Sequence, residues 1–361
     1  MKITNYIPSQ YIARVINHYF YMNFRKKILA IFFVSIILAV NYLLTDSLLI
    51  CCCLLATMAL SLLIFILVNK QLKQTNWYIN HFIDSQKFLR NIPHNLEICN
   101  LGSNPGKFAF DYDDMSSKGE NWAIGPQSLS YDFRVLKNYF SYLKDGGIVL
   151  ITIAPLSSCL RDYPDDRSNA KYYPFLDTSL IVNYSSGINF SYIRYPVLSA
   201  PKAIRYLIRD VPPDNRFLIN TNPMSSEEIE QDAVNWLKGW KNQFSIINLN
   251  SGIVSEENQS AIVYNTKLLS EMIDFCLVRN LKPVLVLPPV TKELRSKFPE
   301  IFLELYVYSF IRNSNTQHIK VLDYFNDERF IDNGLYFNSF FLNSKGRRLF
   351  TNSVLLDIKQ I

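Results

Sequence analysis

A serine follows a predicted strand at a point where a nucleophile would be useful. Residues 99–106 read Cys-Asn-Leu-Gly-Ser-Asn-Pro-Gly, so Ser103 comes directly after a short apolar run. In an open parallel sheet, ligands bind beyond the carboxyl ends of the strands, and a serine hydroxyl there can attack an ester once a base takes its proton. Gly102 and Gly106 permit a tight turn. A Gly-Ser turn after a strand is also common as a simple turn, so this spacing alone leaves both interpretations open.

A serine nucleophile needs a base within about 3 Å, and histidine is rare in this sequence. The four histidines are His18, His81, His94 and His318. The first two fall in or beside the apolar N-terminal helices, and the other two precede predicted strands. A strand advances about 3.3 Å per residue, so His94 should lie more than about 15 Å from Ser103.

Three carboxylates remain as conceivable proton acceptors, namely Asp111, Asp113 and Asp323, although surface or turn positions explain them more simply. We find no glycine-rich phosphate loop and no helix-borne pair of carboxylates. The sequence therefore predicts no cofactor and no metal site.

The elements that would position Ser103 alternate between apolar strands and amphipathic helices. Strands are predicted at 96–101, 121–124, 148–154, 284–287 and 321–324, and helices at 127–143, 256–279, 294–311 and 346–358. Each crossover must bury its apolar stripe on a sheet face. The pattern predicts an α/β fold, a three-layer sandwich with a parallel sheet of the flavodoxin-like kind. Gly146 and Gly147 are expected to stop the first helix before the third strand.

Residues 155–252 interrupt this alternation with a segment rich in Tyr, Pro, Asn and Ser. It holds one clear helix, at 227–240, behind a capping box from Ser225 to Glu228. We interpret the segment as an insertion in a domain of residues 94–361. Such insertions shape binding sites or serve only as structure, and the sequence favours neither.

Two long apolar runs lie near the N-terminus. Residues 28–44 and 48–68 carry no charge, and residues 45–47 separate them. A bilayer core of about 30 Å needs about 20 helical residues, so the runs predict a transmembrane helical hairpin over 28–69, with the lipid bilayer as a partner. Residues 1–27 are expected to form an interfacial segment, or an ordinary packed helix, and 70–93 a connecting helix.

The distribution of charge indicates membrane topology rather than nucleic-acid binding. The chain carries a formal net charge of +6, and five basic residues with no acidic residue precede the hairpin: Lys2, Arg14, Arg25, Lys26 and Lys27. Lys70 and Lys73 follow it. By the positive-inside rule the large domain is expected in the cytoplasm, with an extracytoplasmic domain as the alternative. A nucleic-acid binder would concentrate basic residues on its folded domain, so no nucleic-acid partner is predicted.

Several motifs resemble the SGNH (GDSL-like) hydrolase superfamily. The resemblance rests on Asn100 to Ser103, Phe110 to Tyr112, Asn121 to Ala123, Gln127 to Asp132 and a closing block from Asn338 to Gly346. It covers roughly residues 96–154 and 282–352. It is strongest toward membrane-anchored members associated with cell-surface polysaccharides, relatives of the D-alanine transfer protein of teichoic acid synthesis.

The resemblance implies a nucleophile at Ser103 and an oxyanion site in the second block. Candidate oxyanion or binding residues are Gly102, Asn121, Gln127 and Ser128. The closing block departs from the family, because Asn338 stands where the family has its Asp and Phe341 where it has its His. The resemblance therefore implies that both acid-base partners are replaced, and loss of triad members costs about three to six powers of ten in turnover.

Three functions are consistent with these residues. The first is a membrane-tethered SGNH-like protein, related to acyl ester hydrolases and acyltransferases of cell-envelope glycans, with a degenerate catalytic pair. The second is an active acyl hydrolase or O-acyltransferase that uses Ser103 with another base. The third is a non-catalytic subunit of an acyltransfer assembly, whose partner would be a multi-span membrane acyltransferase.

Overall fold

The computed structural model describes residues 40, 42, 48–162, 168–214 and 224–359. These residues form two compact units. The helical unit holds the described residues of Met1–Leu89 and Tyr163–Asp214, and the sheet unit holds those of Arg90–Asp162 and Asn215–Ile361. The predicted insertion is therefore divided, because residues 168–214 belong to the helical unit, whereas residues 155–162 and 224–252 belong to the sheet unit.

Twelve helices and five strands lie in the part of the chain that the structure describes. The helices are α1 Leu48–Leu72, α2 Asn76–His81, α3 Ile83–Leu89, α4 Asn104–Lys107, α5 Leu129–Tyr139, α6 Ser186–Ile188, α7 Ser226–Gln243, α8 Glu256–Leu277, α9 Lys292–Arg295, α10 Glu300–Leu303, α11 Ser309–Ser314 and α12 Ser344–Lys359. The strands are β1 Leu96–Leu101, β2 Gly119–Asn121, β3 Leu143–Thr152, β4 Lys282–Leu287 and β5 Val321–Asp323. Short 3-10 and π turns connect several of them.

Helix α1 is long and apolar enough to span a membrane. Its stretch Cys52–Leu72 has 21 residues and a mean hydropathy of 2.5, and almost none of it is buried. This stretch contains most of the second predicted apolar run. The first run, 28–44, lies outside the described residues except for Val40 and Tyr42, and the predicted interfacial segment 1–27 lies wholly outside them.

The predicted connecting helix over 70–93 is wrong as a single element. Helix α1 ends at Leu72, and Thr75 caps a new helix by accepting a hydrogen bond from the Tyr78 N–H. Phe82 then separates α2 from α3. A threonine side chain that accepts a hydrogen bond from a free N–H in the first turn of a helix stabilises the beginning of a new helix. The chain therefore begins α2 here instead of continuing α1.

The sheet of the sheet unit is wholly parallel, with the strand order β2-β1-β3-β4-β5. The chain leaves β1 toward one edge and returns to build toward the other, so the direction of winding reverses between β1 and β3. In doubly wound sheets of this order, ligands bind at that reversal, beyond the carboxyl ends of the strands. The predicted parallel α/β class is confirmed.

Helices cover both faces of this sheet. On one face Ile98, Leu150 and Val286 pack in a buried core with Phe350 and Val354 of α12. On the other face α8 packs against β4 and α5, where Phe133 and Phe275 meet edge to face with ring centroids 5.4 Å apart.

Two predicted boundaries differ from the structure. Helix α5 ends at Tyr139, and Gly146 and Gly147 lie inside β3 rather than stopping a helix. Gly146 has a φ of +70°, which glycine adopts without the strain that a Cβ would cause. The predicted helix over 294–311 is instead α9, α10, a π turn at Glu304–Tyr308 and α11.

Five cysteines have side chains that the structure describes, and these five are free thiols. Cys52 and Cys53 are exposed on α1, whereas Cys99, Cys159 and Cys276 are buried.

Two helical glycines give a matched test of packing around α12. A Cβ at Gly346 would lie 2.1 Å from the Leu335 carbonyl oxygen, whereas a Cβ at Gly239 meets no atom within 4 Å. We expect Gly346→Ala to lower the free energy of unfolding by about 2 kcal/mol, and Gly239→Ala to raise it by up to about 1 kcal/mol. Thermal unfolding of the full chain in detergent should shift in opposite directions for the two variants. A Gly346→Ala protein as stable as the parent would contradict the close approach.

Candidate functional site

Ser103 lies at the carboxyl edge of the sheet, in the turn between β1 and α4. Gly102 holds this turn at a φ of +136°, and a Cβ there would lie 2.8 Å from the Thr152 Cβ at the end of β3. The Ser103 carbonyl accepts a hydrogen bond from the Lys107 N–H at 2.9 Å, which fixes the first turn of α4. The structure thus confirms the prediction that Ser103 directly follows a strand.

The Ser103 hydroxyl accepts a hydrogen bond instead of giving its proton to a base. The Gln127 backbone N–H donates to Ser103 Oγ at 3.0 Å. Among the residues that the structure describes, this is the one hydrogen bond of that oxygen, and neither an imidazole nor a carboxylate is bonded to it.

The histidines of the sheet unit lie away from Ser103. The His94 ring stacks on Tyr142, which comes directly before β3, with centroids 4.6 Å apart. His318 precedes β5 by two residues and has a φ of +52°. Both therefore lie at the amino ends of the strands, opposite the Ser103 edge. His81 belongs to the helical unit and is hydrogen-bonded to Tyr192, and His18 lies outside the described residues.

The donors predicted to hold an oxyanion are used to fix loops. The Gly102 N–H donates to Asp132 Oδ1 at 2.7 Å, and the Gln127 side-chain amide donates to the same oxygen. The Asn121 amide donates to the carbonyls of Lys107 at 3.1 Å and Phe110 at 3.0 Å. An oxyanion hole needs donors aimed at an open position, and these donors already have acceptors.

Ser128 has a structural place at the start of α5. Its hydroxyl accepts a hydrogen bond from the Tyr131 N–H at 3.3 Å and donates to Asp162. Ser130 also donates to Asp162, at 3.0 Å. These contacts tie the first turn of α5 to the segment after β3.

Asp132 is the residue of this site that the sequence analysis missed. Its side chain is buried, with 3% exposure, and it holds the turn that carries Ser103 through Gly102. Asp132 lies on the same helical face as Leu129 and Leu136, since residues three and four apart share a face. A charged residue within an apolar stripe was the available signal.

The closing block is ordered by its own polar residues. Asn338 Oδ1 accepts hydrogen bonds from the N–H groups of Phe340 at 3.0 Å and Phe341 at 2.8 Å. Ser339 is fully buried and donates through its N–H and hydroxyl to Asp232 of α7. Asn338, which the resemblance aligns with the Asp of that family, therefore shapes a local turn.

Phe341 belongs to an aromatic cluster in the sheet unit. Its ring centroid lies 5.0 Å from that of Phe108, 4.6 Å from Phe340 and 5.5 Å from Trp236. The aromatic cluster comprises Phe108, Trp236, Trp240, Phe298, Phe337, Phe340 and Phe341. Phe341 is only 6% exposed. An apolar ring thus fills the place that the family resemblance gives to an imidazole.

An apolar pocket opens beside this cluster, at the ends of β3 and β4. Its wall is formed by residues of α4, the two strand ends and the closing block, namely Pro105, Phe108, Ala109, Ile153, Ala154, Pro155, Pro288, Pro289, Val290, Phe340, Phe341 and Leu342. No charged side chain is among them. The pocket lies at the sheet edge where ligands of doubly wound folds bind, and its free space is about 10 Å³, which is about what one water molecule needs.

Within the described residues, no three His, Cys, Asp or Glu side chains come together as a metal site. In comparisons with known proteins, no family model and no curated protein matches this chain. The family resemblance therefore rests on the motifs quoted above.

Proposed function

We propose that this chain is a membrane-anchored protein built on an SGNH-hydrolase-like domain that has lost ester hydrolysis and acts by binding. Its relatives would be the acyl ester hydrolases and acyltransferases of cell-envelope glycans. The observation that carries the proposal is the set of contacts made by Ser103 and by Phe341. The Ser103 hydroxyl accepts from the Gln127 N–H, and Phe341, at the family His position, is packed in the aromatic cluster.

The hydrogen bonds around Ser103 support the loss of ester hydrolysis. A serine hydroxyl is a weak nucleophile at neutral pH unless a neighbouring base removes its proton. Here the N–H of Gln127 occupies a lone pair of the oxygen, and Asp132 accepts from Gly102 and Gln127 instead of from Ser103. The residual rate expected without the acid-base pair is lower by about three to six powers of ten.

The side chains that line the apolar pocket suit contact with an apolar group, although the free space of about 10 Å³ is room for no more than a water-sized group. Its lining of proline, alanine, isoleucine and phenylalanine offers contact area without hydrogen-bond donors on side chains.

Membrane anchoring is the second part of the proposal. The length and hydropathy of Cys52–Leu72 support one span. We propose that it pairs with residues 28–44 as a hairpin and that Lys70 and Lys73 mark its cytoplasmic end, following the positive-inside rule. Resistance of the full chain to extraction from membranes by alkaline carbonate would support anchoring. Release into the soluble fraction would contradict it.

Ester hydrolysis by the full chain in detergent tests the loss of catalysis. We expect hydrolysis of p-nitrophenyl acetate to be the same for the parent, for Ser103→Ala and for the exposed control Ser116→Ala, since Ser103 has no base. We also expect no adduct of a fluorophosphonate probe on Ser103 in intact-protein and peptide mass spectra, because that probe reacts with activated serines. A fluorophosphonate adduct at Ser103, or activity that disappears only in Ser103→Ala, would show a working nucleophile and overturn the proposal.

A further inference from the structure

Residues 189–209, which we call the collar, wrap the C-terminal end of α1 within the helical unit. The collar consists of a π turn at Asn189–Arg194 and 3-10 turns at Pro196–Leu198 and Pro201–Leu207. The Val197 N–H donates to Asn69 Oδ1 at 3.0 Å, and Phe65 packs on Tyr195 with ring centroids 5.1 Å apart. The collar is therefore attached to α1 by both polar and apolar contacts.

The contacts fall where the exposed apolar surface of α1 ends. Leu62, Leu63 and Leu67 are about half exposed, whereas Asn69 and Leu72 are buried. A helix rises about 1.5 Å per residue, so the 21 residues of Cys52–Leu72 extend about 30 Å, the thickness of a bilayer core. The collar meets α1 at Phe65 and Asn69, within about 10 Å of the end of this stretch, where the bilayer core gives way to the lipid headgroups.

The collar itself exposes apolar side chains that no described residue covers. Ile208 is 92% exposed, Ile204 44% and Leu207 36%. We call these three residues the apolar trio. Next to them Tyr206 stacks on Trp77 of α2, with centroids 5.6 Å apart. Tryptophan and tyrosine are enriched at the membrane–water interface, where a ring is partly buried and partly wet.

Exposed cations accompany the apolar trio. Arg194, Lys202, Arg205 and Arg209 lie in the collar, which has no acidic residue, and all four are exposed. Among the described residues none of the four is in an ion pair. Lys73, just beyond α1, has its pKa lowered by burial and by the nearby Arg194. This concentration of positive charge has no counter-charge of its own.

Asp210, which follows the collar, is hydrogen-bonded to the start of α2. Its carboxylate accepts hydrogen bonds from the N–H groups of Asn76 and Trp77, at 2.5 and 3.1 Å, at the start of α2. It thus supports the helix that carries Trp77, and its one negative charge does not balance the four exposed cations of the collar.

We propose that the collar is an interfacial membrane-binding element whose occupant is the anionic headgroup layer of the bilayer. The apolar trio would enter the boundary between headgroups and acyl chains, and the collar cations would bind the lipid phosphates. Apolar residues interleaved with Lys and Arg beside a span are the composition that binds anionic membrane surfaces. This inference rests on the proposed anchoring of α1, and it gives residues 189–209 of the predicted insertion a role in membrane attachment.

Photolabelling in lipid nanodiscs tests the proposal on the full chain. The discs would contain phosphatidylcholine with or without phosphatidylglycerol, and a trace of phospholipid with a diazirine near its headgroup. Labelled peptides would be found by mass spectrometry. We expect labelling of α1 in both discs and of the collar most strongly in the anionic discs. The peptide that contains Ile247, which is also 92% exposed but lies in the sheet unit, serves as the internal reference and should not be labelled.

Charge-reversed variants make the test specific. Arg205→Glu with Arg209→Glu should lower collar labelling in anionic discs on the order of tenfold, as expected for removing cations from an anionic surface. The matched control reverses two exposed lysines of the sheet unit, Lys238→Glu with Lys345→Glu, and should change nothing. Ile208→Glu should likewise lower collar labelling, and Ile247→Glu should not.

The outcomes separate the collar from the anchor. Labelling of α1 without labelling of the collar would overturn the collar proposal and leave anchoring intact. Equal collar labelling in neutral and anionic discs, or in the charge-reversed variant, would overturn the role of the cations. Absence of label from both α1 and the collar would overturn anchoring and this inference with it.

Discussion

Replacement of Phe341 by alanine is expected to lower the free energy of unfolding by about 3–5 kcal/mol, the range for truncating a buried phenylalanine. The ring is 6% exposed and packs against Phe108, Phe340 and Trp236. Its removal would leave a cavity next to the apolar pocket, and the two segments that meet there, α4 and the closing block, would lose their shared contact. Thermal unfolding of the full chain, followed by near-ultraviolet circular dichroism, would report the loss.

A surface leucine provides the comparison for this variant. Leu356 lies on α12 and is 61% exposed, so Leu356→Ala should change the stability of the protein by less than about 0.5 kcal/mol. If Phe341→Ala proved as mild as Leu356→Ala, the aromatic cluster would not be a packed core, and Phe341 would be free to take another position.

The second large effect is expected at Asp132. Asp132→Ala would remove the acceptor for the Gly102 N–H and the Gln127 side-chain amide, both in a buried region. Hydrogen bonds to a charged group contribute about 1.5–3 kcal/mol each, and donors left unpaired in the interior add their desolvation cost. We expect a loss of about 3–5 kcal/mol, measured by thermal unfolding in detergent, and Asp132→Asn should be milder because an amide oxygen remains.

An exposed carboxylate on another helix serves as the control for that measurement. Asp274 lies on α8 and accepts one exposed hydrogen bond, from Gln317, so Asp274→Ala should be near neutral. Equal stability of Asp132→Ala and the parent would mean that the turn carrying Ser103 is held by the glycine geometry alone.

The sheet was predictable from sequence because its strands are buried and apolar. Strand β1 agrees with its prediction at both ends, and β4 and β5 agree within two residues at each end. Strand β3 begins five residues before its predicted start and ends two residues before its predicted end. The second strand was displaced, since β2 is Gly119–Asn121 and residues 122–124 are buried without continuing it. A three-residue edge strand carries too little periodicity to fix its ends.

The partners within the site were not predictable, because they depend on contacts between residues far apart in the chain. Asp232 holds Ser339 across 107 positions, and Trp236 contacts Phe341 from the same helix. The sequence predicted that helix and its capping box correctly, but no spacing rule relates α7 to the closing block. The division of residues 155–252 between two units has the same origin.

The burial of the native thiols determines whether an introduced cysteine can be labelled selectively with a thiol-reactive probe. Burial raises the pKa of both Cys159 and Cys276 to about 12, and it raises that of Cys99 as well, so these sulfurs are almost entirely protonated and shielded at neutral pH. Thiolate is the form that reacts with maleimides. Cys52 and Cys53 are exposed, but on a stretch whose hydropathy suits the interior of a bilayer. The sixth cysteine of the chain, Cys51, belongs to the same apolar run as Cys52 and Cys53. A single cysteine introduced on a water-facing surface should therefore stand out against the native thiols in a membrane, without their prior removal.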